Sequence, residues 1–142
     1  MRKVIDERIK KGLVADYQEE NSEVTDMTIS QLEEYFSGKR EVFTIPLLLE
    51  GTDFQKNVWE ELMKIPFGKT ETYLGLSKNL GNELAIRAVA SANGANAISI
   101  IVPCHRIIGS KGDLVGYAGG IAAKKNLLQL EGFGGEQLEL FP

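Results

Sequence analysis

Residues 72–94 read as two short helices broken once, and no other stretch of the chain restricts its fold as much. The first runs from about Thr72 to Leu80, Gly81 stops it, Asn82 caps the next, and the second covers residues 83–92 and ends at Asn93-Gly94. Helix, tight glycine turn and helix form the helix-turn-helix pattern. The second helix carries little side chain. Ala85, Ala88, Ala90, Ser91 and Ala92 are small, so its backbone can approach another surface closely, and Arg87 projects from it as a single long cation.

Around this pair the chain has the material for a modest core, with 142 residues of which 43% are hydrophobic. Residues 52–64 make a helix with Thr52 and Gln55 at capping-box spacing and Phe54, Val58, Trp59, Leu62 and Met63 on one apolar face, which puts Trp59 in the core. The turn at residues 65–70 opens a second unit. Upstream, residues 12–17 are read as a strand, 18–25 as a polar stretch, about 28–36 as a helix, and 42–49, interrupted by Pro46, as an edge strand. Downstream, the apolar run 98–102 has strand length, residues 109–120 form a loop with five glycines around Tyr117, and a helix over about 121–130 buries Ile121, Leu127, Leu128 and Leu130. Helices with a few short strands make an α+β chain.

The net charge of -4 hides an uneven distribution. Residues 1–63 hold 8 basic and 14 acidic side chains, residues 64–125 hold 8 and 3, and the rest hold 0 and 3. A basic middle suits a local polyanion site, although the imbalance is small. The charged start, Arg2-Lys3 and Asp6-Glu7-Arg8, lacks the apolar run of a signal peptide, and no stretch reaches the ~18 apolar residues of a membrane span, so a cytoplasmic location is expected.

The chain has one cysteine and one histidine, and they are neighbours, Cys104 and His105. Together they cannot supply a structural zinc site, and no metal or cofactor is expected. A thiol attacks only as thiolate, of which a few per cent exists at neutral pH for a free pKa of ~8.5, so a base must take the proton. His105 is the candidate, and Asp113 and Glu131 are both placed in sequence to orient it.

Ile101-Val102-Pro103-Cys104-His105-Arg106-Ile107-Ile108-Gly109 resembles the active-site signature of the O6-alkylguanine-DNA alkyltransferases. Arg87-Ala88-Val89 through Ala92-Asn93-Gly94 to Asn96 resembles that family's recognition helix and loop, and Gly116-Tyr117-Ala118-Gly119-Gly120 its pocket loop. The match runs in register from about residue 32 to residue 132. It implies a shortened ribonuclease H-like α/β N-terminal domain over residues 1–50. A mainly helical, winged-helix-like helix-turn-helix domain over 51–132 would carry the thiol, with a tail after it.

The resemblance further implies direct repair of O6-alkylguanine, and of O4-alkylthymine, by irreversible transfer of the alkyl group to Cys104 after the nucleotide is flipped out of duplex DNA. One monomer would perform one repair. His105 would be the base, reaching the thiol through a water, and Glu131 its orienting acid. Asn96 would fix the turn at Cys104, and Tyr73 would protonate the departing base. Tyr117, Ala118, Gly119 and Ile107 would line the pocket. Arg87 would fill the gap in the base stack, with Thr72, Ala88, Ser91, Ala92 and Asn93 along the DNA in the minor groove.

Rival readings are an alkyltransferase-like lesion binder, which lacks the thiol, a helix-turn-helix regulator and a cysteine hydrolase. Gln137, Leu138, Leu140 and Phe141 in the acidic tail resemble a peptide that docks into a sliding clamp.

Overall fold

The computed structural model of the protein describes residues 2–133. The chain divides into two compact units, Arg2–Gly51 and the part that begins at Thr52.

In the first unit, α1 spans Arg2–Leu13 and α2 spans Glu23–Phe36. The strand expected over residues 12–17 is not formed. Arg2 and Asp6 pair one turn apart at 2.9 Å, Lys10 and Lys11 complement the C-terminal end of the helix dipole, and α1 runs on until Val14 turns at φ 51°. α2 starts earlier than the apolar stripe alone suggested, inside the polar stretch. Ser22 Oγ accepts from the Thr25 amide at 3.1 Å and Thr25 Oγ1 accepts from the Ser22 amide at 2.8 Å. This reciprocal cap, worth about 1 kcal/mol, uses Thr where Glu or Gln is usual.

Residues 42–49 alternate between half-buried and exposed as an edge strand would, yet no strand is present there. A ladder needs a second strand, and in its place the Gln31 side chain accepts from the Thr44 amide at 2.9 Å and donates to Thr44 Oγ1 at 2.8 Å. Tyr35, 1% exposed, packs its ring against Phe43 with centroids 5.4 Å apart.

The second unit is built on α3 (Asp53–Leu62), α4 (Tyr73–Asn79) and α5 (Ile86–Gly94), which pack on one another. Thr52 and Gln55 form the expected capping box, Thr72 caps α4 by accepting from the Gly75 amide at 2.9 Å, and Asn82 caps a 3-10 turn, Glu83–Ala85, that leads into α5. Gly81 takes φ 78°, which lets the chain reverse between the two helices. Val58, Trp59, Leu62, Leu76 and Val89 are all buried, and Trp59 Nε1 donates to the Ala92 carbonyl at 2.8 Å, tying α3 to α5.

The strand expected over residues 98–102 is replaced by turns. Asn96 accepts from the Ile98 amide at 2.9 Å and donates to the Val102 carbonyl at 2.9 Å, and Ile100 takes φ 75°. One side chain thus closes a loop that an extended backbone would hold open. The only sheet among the described residues is a short parallel pair, β1 (Glu71–Thr72) beside β2 (Ile107–Ile108), with Glu71 opposite Ile107. α6 covers Ile121–Leu130 and buries Leu127 and Leu128, whereas Ile121 and Leu130 are more than a third exposed. Phe133 packs behind it on Ile108, Leu114 and Leu128. Among the described residues no helix is long and apolar enough to cross a membrane, and no cluster of acidic, His or Cys side chains is placed to hold a metal ion. The tail peptide at residues 137–141 lies outside the described residues.

Candidate active site

Cys104 opens a single 3-10 turn, Cys104–Arg106, between Pro103 and β2. The turn leaves the thiol 5% exposed, and Asn96 Nδ2 donates to Sγ at 3.2 Å while also holding the Val102 carbonyl. Burial raises the thiol's pKa; the Asn96 hydrogen bond and the charge of Lys124 act against it by favouring the thiolate.

His105 is fully buried, with Nε2 at 2.8 Å from Glu131 Oε1. Glu131, at the C-terminal cap of α6, also takes a bidentate fork from Arg106, Nε to Oε2 at 2.9 Å and Nη2 to Oε1 at 2.8 Å. Burial alone would raise the carboxyl pKa, but the bonds from His105 and Arg106 outweigh it and hold it at about 2. An ionised carboxylate can only accept, so a His105 proton sits on Nε2, and in the neutral imidazole Nδ1 presents a lone pair. That Nδ1 is buried and has no hydrogen-bond partner among the described residues. Arg106 is held in turn by Nη1 donating to the Ile65 carbonyl at 2.6 Å and lies 6.0 Å over the Phe67 ring. The choice between the two acids is thereby made. Glu131 meets His105, whereas Asp113 closes the loop at Gly109, whose amide donates to the Asp113 carbonyl at 2.8 Å.

Tyr73 begins α4 half-buried, its hydroxyl 3.4 Å from the Val115 carbonyl and near the Asn93 side chain. Burial raises its pKa, Asn93 lowers it, and the charge of Cys104 raises it again; Tyr117 is raised by burial first and by Cys104 second. Gly116 takes φ 61°, and a Cβ there would come within 3.1 Å of the Tyr73 oxygen, so this glycine lets the loop lie against the phenol. Ala118 and Gly119 are exposed, with Gly119 beside the Tyr117 ring. Ile107 is buried, and its amide donates to the Cys104 carbonyl.

On α5, Arg87, Ala88 and Ser91 are exposed on one face. Ala92 and Asn93 are 2% and 3% exposed and point inward, Ala92 accepting from Trp59 and Asn93 meeting Tyr73. Thr72 is engaged as the α4 cap. The sequence reading missed two site residues, Arg106 and Lys124. The signal for Lys124 was present: 124, 127, 128 and 131 share one helical stripe, so Lys124 lies on the face of Leu127, Leu128 and Glu131.

Residues 53–133 match the family described as 6-O-methylguanine DNA methyltransferase, DNA binding domain. A methylated-DNA–protein-cysteine methyltransferase of Methanosarcina acetivorans is 51% identical over 87% of this chain and 79% of its own length. Its namesake in Methanosarcina barkeri is 55% identical over 71% of this chain and 64% of its own. Mycobacterium tuberculosis OGT, solved in complex with DNA, superposes with a TM-score of 0.73 at 50% identity, covering 74% of this chain and 64% of that one. The chain thus spans less than two thirds of two of these three relatives.

Proposed function

The chain belongs to the methylated-DNA–protein-cysteine methyltransferase family, and from that premise we propose that it repairs DNA by moving the alkyl group of O6-alkylguanine onto Cys104. The observation that carries the assignment to this residue is the combination of a lone thiol fixed by Asn96 with a buried His105–Glu131–Arg106 set whose one free acceptor is His105 Nδ1. The thiol proton passes to Nδ1 through a bridging water. Glu131 stabilises the imidazolium, and Arg106 keeps Glu131 ionised and in place. The sulfur attacks the alkyl carbon, the S–C bond forms, and the O6–C bond breaks with its electron pair going to the purine. Tyr73 supplies the proton that the departing base needs. The thioether offers no good leaving group, so each chain acts once. O4-alkylthymine presents the same bond to the thiol.

The reacting atom lies within the duplex and has to be brought out. The exposed face Arg87, Ala88 and Ser91 suits this: two small side chains allow close approach to a groove, and the long cation occupies the vacated stack. Tyr117, Ala118, Gly119 and the backbone at Ile107 line the pocket for the extruded base. We read residues 1–50 as the remnant of a ribonuclease H-like domain, in which the described residues hold α1, α2 and the extended run fixed by Gln31, and no strand.

Intact-mass measurement after incubation with O6-methylguanine duplex tests the proposal: one methyl group per chain is expected, and saturation at one equivalent. No adduct at any dose would favour the lesion-binding reading instead. Arg87→Ala is expected to slow duplex repair by roughly thirtyfold, about 2 kcal/mol of the extrusion cost, with little change towards free O6-benzylguanine. Equal losses on both substrates would assign Arg87 to the fold.

A further inference from the structure

The turn that leads into α5 carries an apolar side chain into water. Leu84, in the middle of the 3-10 turn Glu83–Ala85, is 97% exposed, more than any other large hydrophobic side chain among the described residues. Its backbone is fixed on both sides. Asn82 Oδ1 accepts from the Leu84 amide at 3.2 Å, the Asn82 carbonyl accepts from the Ala85 amide at 3.2 Å, and Gly81 at φ 78° sets the reversal before it. The turn runs directly into α5, so Leu84 lies three residues ahead of Arg87 and seven ahead of Ser91, on the stripe that holds the exposed side chains of Arg87, Ala88 and Ser91. Three residues rise about 5 Å along the axis, which is between one and two base-pair steps of about 3.4 Å. Residues 81–86 hold neither Lys nor Arg, and Glu83 is acidic, so this tip has nothing with which to neutralise phosphate. What it offers is a leucine whose burial gain has not been taken. A lone exposed leucine is ordinary on a surface; this one is set apart by standing on the exposed stripe of a domain whose family binds DNA.

We propose that Leu84 is a second anchor on DNA: when Arg87 enters the duplex, the Leu84 side chain enters the same groove one or two base pairs away and is buried against the sugars and base edges there. The inference rests on α5 being the helix that meets DNA in the alkyl-transfer reading. Proteins that bind the minor groove use apolar side chains in this way, and the contact suits a search without sequence preference, since the sugar walls of every step are alike. The gain is also insensitive to salt, because no counterion is released when a leucine leaves water. Glu83 beside it repels phosphate, so the apolar contact is what keeps this end of α5 on the duplex. Leu84 is not among the residues that line the base pocket, and it adds nothing to the binding of a free purine.

The test measures the affinity of the whole protein for unmodified duplex over a series of salt concentrations, beside the rates of transfer from O6-methylguanine duplex and of reaction with free O6-benzylguanine. Leu84→Ala is expected to weaken duplex binding about tenfold at every salt concentration, leaving the slope of log affinity against log salt unchanged. Repair of subsaturating duplex should slow by the same factor, and reaction with the free base should not. Leu84→Gln, of similar size but polar, should lose as much, and Leu84→Met should restore binding. Because the side chain is exposed, all three variants should melt with the wild type. Wild-type duplex affinity in Leu84→Ala would overturn the proposal, as would full affinity in Leu84→Gln or equal losses on duplex and free base. Sedimentation reports the other occupant: a wild-type dimer that Leu84→Ala dissociates, with duplex affinity unchanged, would assign the tip to a second copy of the chain. Wild-type protein that takes no methyl group from damaged duplex would instead remove the alkyl-transfer reading, and the affinity comparison on unmodified duplex would still decide the role of Leu84.

Discussion

Cys104→Ser is expected to bind O6-methylguanine duplex as the wild type does and to transfer nothing. A hydroxyl at this position still accepts from Asn96 Nδ2, and the Asn96 bonds to Val102 and Ile98 that shape the turn do not involve the sulfur, so the scaffold persists. What is lost is the one group able to ionise and attack near neutral pH. Gel-shift titration should give an unchanged affinity, and intact mass should stay unmodified over times in which the wild type is fully alkylated. Transfer above background would place the acceptor on another residue.

Glu131→Ala is expected to remove activity and about 3–5 kcal/mol of stability together, because it strands His105 and Arg106 in the interior without their shared anion. For a chain of this size the melting temperature should drop by roughly 10 °C or more. The pH dependence has a definite sign. The folded carboxyl titrates at about 2, below its ordinary value of 4.5, so its stabilisation is complete above the ordinary value and is lost as pH falls through about 2. Urea unfolding of the wild type should weaken over that acid window by roughly 3 kcal/mol, and the variant should lack this component. A variant whose acid limb matches the wild type would show that the fork contributes no net stability.

The features legible in the sequence were those decided within one turn of helix. Thr52 with Gln55, Thr72, and Gly81 followed by Asn82 mark their boundaries through local hydrogen bonds, and the structure places them there. The strands were misread for a different reason. Apolar runs at 42–49 and 98–102 have the right length, but a strand is made by its partner, and here Gln31 and Asn96 occupy the backbone groups that a partner would need. Cys104 and His105 could be singled out because each is unique in the chain. The acid could not be chosen from residues alone, since Glu131 lies 26 positions from His105 and only the packing of α6 brings it there. Arg106 hid within an apolar run, where a cation signals an internal anion that has yet to be identified.

Trp59 gives the molecule an optical property that follows from its packing. It is the single tryptophan, 2% exposed, and its indole N–H is held by the carbonyl of Ala92 on α5, the helix that also bears Arg87. All indole emission from the chain therefore originates at one buried, hydrogen-bonded seat beneath α5. Its wavelength and intensity register any shift of that helix on its base, with no label attached and no second tryptophan to subtract.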